Sequence, residues 1–580
     1  MKKISNFFLF SLILIGETNA FSQEIPIITI YGLRTTQEKL YKTYSYESLP
    51  LNDLRSSTSL NVVQNGPGLQ FSSTFTRGTN ANHTLLTLNG IAIKDASTIA
   101  GADDILQHSF SSLQSLEIIK GPMSNIYGPD AVGGVVNMVT QPNDKNWIDL
   151  SYGSHNTFNQ KIKLGKIIGK TIIDLQGENE SSRNISINPS GSETDPYRFR
   201  NYTIQTESLL DYDYKLKFNV IKQTNHTNLD DLSSDRENYT GLYIFKNKYL
   251  SLQNKESELT INNTRHDREY NKTDLIDRYY SNNDTILAKT TFHNIADFQI
   301  GTEHVFTHGK FNTNIDDYKS DVDKQRENHA YFLNITKSFS EDFLMNGSLR
   351  YDNPTQFKSQ FTERIGGYYN GFRASVATGF SKPTLYQMYG KDEYGFLGNK
   401  DLLPEETITY EIGYKNKDID VALFKNNIKN LFIYDNSRNI YANDKDGSIR
   451  KGIETKINQT LLGLDFKNSN TYLVAQDSNG NELVRRPKWI NNFEVAYNQI
   501  RNTSINANWN YYGKHADIDP VSFKTININP LNTIDFGATY KIKNLDIYGK
   551  LNNVTNEQYQ RPKGYSTLGR NFLIGFRQEF

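Results

Sequence analysis

The sequence predicts an all-β fold whose alternating part suits a transmembrane barrel of about 22 antiparallel strands, the size at which the lumen is wide enough to hold an N-terminal globular plug domain. Three observations lead there. The chain of 580 residues is polar, with 37% hydrophobic and 22% charged residues, yet it is 12% aromatic, with 36 Tyr and 32 Phe. From Trp147 to Phe580 apolar and polar residues alternate with period two. Before about residue 142 the texture differs, with short apolar runs broken by Gly, Pro and Asn.

The composition suits a barrel because each strand needs apolar side chains only on its lipid face, and aromatics gather at the two interfaces. Lys+Arg and Asp+Glu balance at 64 each and no long basic run occurs, so nothing points to nucleic acid. The absence of Cys excludes disulfides, thiolate metal sites and a Cys nucleophile.

Lys2 and Lys3, the apolar run Phe7 to Ile15 and the small residues Thr18 and Ala20 have the order of a signal peptide, residues 1–20. No later run reaches the roughly eighteen consecutive apolar residues a spanning helix needs. Export without a helical anchor leaves the periplasm, the outer membrane or the medium. A short extended segment follows at 21–34, then the mixed region at 35–142 and the alternating region at 143–580.

The alternation is plain in several runs. Leu216, Phe218 and Val220 interleave with Lys215, Lys217 and Asn219. Ile505, Ala507, Trp509 and Tyr511 interleave with Asn506, Asn508 and Asn510, and the chain ends on Phe572, Ile574, Phe576 and Phe580. A soluble sandwich alternates too, and the alternation alone leaves it open. Length and the Lys, Asn and Asp on the opposite face favour a polar lumen behind a lipid-facing wall. At roughly 20 residues per strand and connection, the region supplies about 22 strands.

Four segments then narrow the reading. Arg77-Gly78-Thr79-Asn80-Ala81-Asn82-His83 leads into Leu85 to Gly90. Leu116-Glu117-Ile118-Ile119-Lys120-Gly121-Pro122 and Tyr127-Gly128 precede Ala131-Val132-Gly133-Gly134-Val135-Val136-Asn137. Gly-Pro and Tyr-Gly force tight turns between short strands. Gly133-Gly134 does not cradle a phosphate, because a β-branched strand follows and no Gly-Lys-Ser/Thr occurs there. In order and spacing these segments resemble the plug of TonB-dependent outer-membrane receptors. Gly379-Phe380-Ser381-Lys382-Pro383, Leu402-Leu403-Pro404-Glu405, Tyr410-Glu411-Ile412-Gly413 and Leu551-Asn552-Asn553-Val554-Thr555-Asn556 resemble the barrel of the same family.

The resemblance implies a Gram-negative outer-membrane location amid lipid and lipopolysaccharide, and no enzymatic activity. It implies active import of a scarce ligand, driven by TonB and its inner-membrane energising complex. Ile27, Ile28, Thr29 and Ile30 stand where the TonB box belongs, a strand able to add to a partner's sheet edge. Within the family the nearest likeness is to the cobalamin (vitamin B12) receptors, carried by Arg77 to His83, Ile99-Ala100-Gly101-Ala102-Asp103 and Leu483-Val484-Arg485-Arg486-Pro487. The loop between Leu69 and Ser72 is shorter than theirs, Asn89 replaces an Asp, and Ser115 an Arg. A corrinoid is therefore the expected ligand, with a ferric siderophore or other metal chelate as the alternative. A passive porin lacks a plug, and a hydrolase would need a Gly-x-Ser-x-Gly or His-Glu-x-x-His site that the sequence does not contain.

The expected ligand contacts are the apical plug loops, Gln70, Phe71 and Ser72 with Asp95, Ala96, Ser97, Thr98, Ile99 and Ala100. Arg77, Glu117, Glu405 and Glu411 are expected to lock plug to wall. The cobalamin likeness adds a candidate structural calcium at Glu193, Asp195, Asp230, Asp231 and Asp235, and no other cofactor. His83 and His108 are expected to satisfy hydrogen bonds within the plug.

Overall fold

In the computed structural model, residues 40–49, 54–230, 239–272, 275–315, 318–391, 395–435 and 437–580 are described. The expected signal peptide and TonB box lie outside them, as do Asp231 and Asp235. Twenty-two antiparallel strands, nearly all paired with their sequence neighbours, close into one barrel. The last strand, Asn571–Glu579, completes the circle against the first, Trp147–Gly153, from Leu573↔Gly153 to Glu579↔Trp147. Closure leaves no edge with unpaired amides facing lipid.

Connections are all short at one end, whereas the other end carries the long ones. Asn370 and Gly371 join two strands with both φ angles positive (45° and 89°), the Asn-Gly turn that matches strand twist. The barrel's first strand starts and its last strand ends at this short-turn end, which is therefore periplasmic. Wall height is uneven. The strands Leu275–His293, Asp297–Ile315 and Tyr318–Ser338 run 19 to 21 residues. A tilted membrane strand needs only about 9–11, so this side rises well above the bilayer.

Alternation sorts side chains across the wall. In the strand Thr157–Ile168, Phe158, Ile162, Leu164 and Ile168 face out, while Asn159, Lys163 and Gly165 are buried inward. The inward cations are paired, Lys163 with Asp174 at 2.7 Å and Lys161 with Glu178 at 3.0 Å.

The inner wall is not polar throughout, as the alternation suggested. Ile221, Phe245, Tyr249, Leu287 and Phe332 point inward and are buried. They pack on the plug, whose thin sheet cannot cover its own apolar face. The plug strands are β1 (Ser45–Leu49), β2 (Leu60–Gln64), β3 (Ser72–Thr76), β4 (Thr84–Leu88), β5 (Ile91–Ala92), β6 (Ser115–Lys120) and β7 (Gly134–Val139). Five form a sheet in the order β1-β6-β7-β4-β5, with β4 and β7 parallel, and β2 pairs β3 apart from it. Leu86, Leu88, Leu116, Ile118, Val136 and Met138 make a core shared with Ile221 and Phe245 of the wall. Gly134 must be glycine, since a Cβ there would stand 2.5 Å from the Ile119 carbonyl oxygen.

The long connections carry structure that interrupts the alternation. A short helix, Leu385–Tyr389, is capped by Thr384 Oγ1, which accepts from the Gln387 amide at 3.0 Å. Two hairpins, Leu431–Asp435 with Ile440–Asp444 and His515–Ile518 with Thr525–Ile528, stand outside the barrel sheet.

Ile412→Arg, at a lipid-facing side chain 58% exposed, should cost about 2–4 kcal/mol in denaturant unfolding from bilayers. Leu462→Arg, 90% exposed in a periplasmic turn, should cost about 0.5 kcal/mol or less. Equal losses would contradict this assignment of the membrane face.

Candidate plug lock and ligand seat

Arg77 leaves β3 in the left-handed region (φ 50°), which turns its side chain toward the wall. Its Nη1 donates to Glu411 at 2.6 Å, and its Nη2 and Nε to Glu454 at 2.8 and 3.1 Å. The Phe424 ring lies 4.4 Å from the guanidinium. Lys120, at the end of β6, sits 3.5 Å from Glu454 and also pairs with Glu47. Glu411 further accepts from Ser45 Oγ at 2.8 Å and Arg373 Nε at 3.3 Å. Plug cations thus interleave with wall carboxylates, all buried or nearly so. Burial disfavours charge on Arg77 and Lys120, but the facing carboxylates outweigh it and raise both.

The sequence pointed to Arg77, Glu117, Glu405 and Glu411, and the structure joins only Arg77 and Glu411 directly. Glu117 lies mid-β6, opposite Asn137 of β7 and Ser48 of β1. That register holds it inside the plug sheet, accepting from Asn137 Nδ2 at 2.8 Å and the Tyr46 hydroxyl at 3.4 Å. Glu405 meets His83 Nε2 at 2.6 Å and Asn82 Nδ2 at 2.9 Å. Glu454 was missed because the run Lys451 to Thr455 reads only as an alternating strand.

His83 and His108 reach beyond the plug, contrary to the sequence reading. His83 Nδ1 accepts from the Asn80 amide at 3.3 Å, so Nε2 carries the proton shared with wall Glu405. His108 bridges Asp103 (2.6 Å) and the wall's Gln223 (3.0 Å). With an acceptor at each ring nitrogen, it is drawn toward the imidazolium: burial opposes this, while Asp103 raises its pKa.

At the apex the predicted residues divide. Gln70 is buried and donates to Thr227 Oγ1 (3.0 Å) and the Asn228 carbonyl (2.8 Å). Asp95 faces Arg268 Nε at 3.0 Å, and Arg268 Nη2 donates to Ser97 Oγ and carbonyl at 2.8 and 2.7 Å. The Ala96 amide donates to Ser281 Oγ at 2.9 Å, and Thr98 Oγ1 to the Asp95 carbonyl at 3.0 Å. Ala100 is half-buried. Ser72 is held by Asp104, whose carboxyl burial pushes up to about 6 against hydrogen bonds from Ser72 and Leu106. Phe71 (42% exposed, beside Tyr270) and Ile99 (53%) are left facing out. The apex therefore offers apolar contacts on two loops bolted to the wall.

In the extracellular connections, Glu193, Asp195 and Asp230 bring carboxylate oxygens within 4.8 Å of one another. Burial and the two neighbouring carboxylates push Asp195 up to about 7, against a hydrogen bond from the Ile187 amide.

Residues 151–554 match the family described as TonB dependent receptor-like, beta-barrel, and residues 51–135 the TonB-dependent Receptor Plug Domain. The chain belongs to the TonB-dependent receptors. It is an outer-membrane receptor of a transport family. Among solved structures, it is similar to the siderophore receptor PirA from Acinetobacter baumannii at 14% identity and a TM-score of 0.78, covering 94% of this chain and 99% of that one. The ferric yersiniabactin uptake receptor FyuA from Yersinia pestis matches at 16% identity and a TM-score of 0.75, over 93% of this chain and 98% of that one. A variant of the ferric enterobactin receptor PfeA from Pseudomonas aeruginosa matches at 14% and 0.76, over 93% and 99%.

Arg77→Ala leaves Glu411 with Ser45 and Arg373 and Glu454 with Lys120, and loss of the charged hydrogen bonds should destabilise the plug–wall seam by about 1.5–3 kcal/mol. Cells carrying it should become sensitive to large antibiotics that the outer membrane normally excludes, and Arg77→Lys should be intermediate. Unchanged sensitivity with Arg77→Ala correctly inserted would remove the lock.

Proposed function

We propose that the receptor imports a metal chelate of the siderophore class, seated on the plug apex and drawn through the barrel by TonB. The observation that carries this choice is the end-to-end likeness to PirA, FyuA and PfeA, each named for a siderophore or ferric chelate. It favours the chelate over the corrinoid expected from the cobalamin-like motifs. An apex of Phe71 and Ile99 suits the apolar flank of such a chelate.

The route for force begins next to the proposed TonB box, Ile27 to Ile30. β1 is an edge strand of the plug sheet, paired only with β6. Ser45, its first residue, hydrogen-bonds the Glu411 carboxylate that also holds Arg77. Just before it, Thr43 Oγ1 donates to wall Asn346 at 2.9 Å. A pull on residues 27–30 would load the Thr43 contact and then β1, reaching the charged Arg77 seam through Ser45.

The carboxylates of Glu193, Asp195 and Asp230 support a second assignment, a structural calcium. Three hard-oxygen ligands offer up to six donors, within the roughly six to eight calcium takes. A cation there would relieve the repulsion that raises Asp195.

Purified receptor should bind ferric enterobactin or ferric yersiniabactin calorimetrically and give no heat with cyanocobalamin; the reverse would return the corrinoid reading. Deleting residues 25–31 should abolish chelate uptake yet preserve binding, and unchanged uptake would remove the TonB-box assignment. For Asp195 the sign is fixed. A folded pKa near 7, above the unfolded value of about 3.9, makes stability without calcium fall from about pH 4 to 7. Calcium competes with that proton, so its affinity should rise from pH 6 to 8 and level off above. A pH-independent affinity, or none, would rule out this site.

A further inference from the structure

Arg77 is held between two carboxylates, whereas two guanidinium groups beside the next turn of the plug contact none among the described residues. Arg450, on the inner face of the strand Ser448–Leu461, is 0% exposed. Its Nε donates to the Gly78 carbonyl at 3.4 Å and its Nη1 to the Ser448 hydroxyl, while its Nη2 is buried without a hydrogen-bond partner. Arg486, from the connection at 478–488, donates through Nε to the same Gly78 oxygen at 3.3 Å. Its Nη2 donates to the Thr79 carbonyl at 3.0 Å and Asn80 Oδ1 at 2.8 Å. Two cations converge on one neutral oxygen.

A further guanidinium, that of Arg561, lies at plug Asn61, which also meets the main chain of Arg485. Asn61 Oδ1 accepts from Arg561 Nη2 and Asn61 Nδ2 donates to the Arg485 carbonyl at 3.0 Å. Arg561 Nε is also buried without a partner. Of the four arginines, only Arg485 has a carboxylate in contact among the described residues, Asp517 at 2.9 Å. The acid whose charge acts on Arg450, Glu405, is committed to His83. Burial, then Arg450 and Arg485, push Arg486 down to about 9, as expected of a cation crowded by cations.

Neutral carbonyls do not compensate buried positive charge, and planar guanidinium forks match oxyanions in two-point contacts. We propose that Arg450, Arg486, Arg485 and Arg561 form an anion site between the plug turn at 77–80 and the wall. It takes a compact group bearing two or more negative oxygens, of the phosphate or carboxylate class. Such a group has two sources, a free anion or the acidic arm of an imported chelate.

The test uses the whole receptor in detergent, with Arg486→Gln and Arg561→Gln as variants. Inorganic pyrophosphate is titrated by calorimetry at fixed ionic strength. The wild type should bind it, and each variant about tenfold more weakly or worse. Without anion, Arg486→Gln should unfold no earlier than the wild type, because it removes a repelled charge. Ferric citrate that competes with pyrophosphate assigns the site to the chelate's arm, and pyrophosphate binding without competition assigns it to a free anion; either supports the site. Equal pyrophosphate binding in all three proteins, no binding by the wild type, or an Arg486→Gln variant that unfolds several degrees earlier would make these arginines clamps of the plug turn and overturn it. Neither titration involves TonB or transport, so failure would leave the import reading standing.

Discussion

A charge removed from water must meet an opposite charge or several dipoles, and that requirement organises the interior of this barrel. Arg77 sits between Glu411 and Glu454, Lys120 between Glu454 and Glu47, and Lys163 against Asp174. Each pair fixes a position along the wall as well as an energy, because a buried ion that slides by one rung loses its partner. The plug is therefore registered against the barrel by charge, and this register places the apical loop beneath the extracellular opening. A seam of this kind also opens in sequence. Ser45 shares Glu411 with Arg77, so movement of β1 weakens the first contact before the remaining ones are strained.

Apolar contact does the complementary work. The plug sheet is thin, and Ile221 and Phe245 of the wall complete its core. Ile91 packs likewise against Tyr249, Leu287 and Phe332. Plug and barrel are covalently consecutive and share one interior, so the plug's stability inside the wall exceeds what its own strands supply. Withdrawing it exposes both halves of that core to water in the lumen, at a cost of roughly 25 cal/mol per Å² of apolar surface. Hence the need for an external source of work.

The barrel was legible in the sequence because period-two alternation is a local signal, and the Asn-Gly turn at 370–371 is another. The lock was legible in part. Arg77 and Glu411 sit in runs with family-like neighbours, whereas Glu454 lies in an unmarked strand and is chosen only by closure of the sheet, which sets it against the end of β3. Glu117 misled for the opposite reason. Its motif is right for the plug, but cross-strand pairing with Asn137 decides its partner, and that pairing spans 20 residues of chain. The histidines show the same limit, since a contact between His83 and Glu405 over 322 positions leaves no local trace. The inward Phe245 and Phe332 broke the expected polar lumen because the alternation distinguishes two faces without saying what lies against either.

The uneven height of the wall means that the same sheet lives in two solvents. Below, between the turns and the last outward aliphatic residues, lipid presses on one face and cross-strand hydrogen bonds are sheltered. Above, along the strands Asp297–Ile315 and Tyr318–Ser338, water reaches the outward face. There the cross-strand rungs carry ionic pairs such as Lys310 with Asp323, at 2.5 Å and partly exposed. Ions in the medium screen such pairs over about 10 Å at 0.1 M salt, while the lower wall is indifferent to them. Ionic strength at the cell surface thus acts on the receptor's rim and spares its foundation, making the tall side a soluble sheet welded to a membrane one.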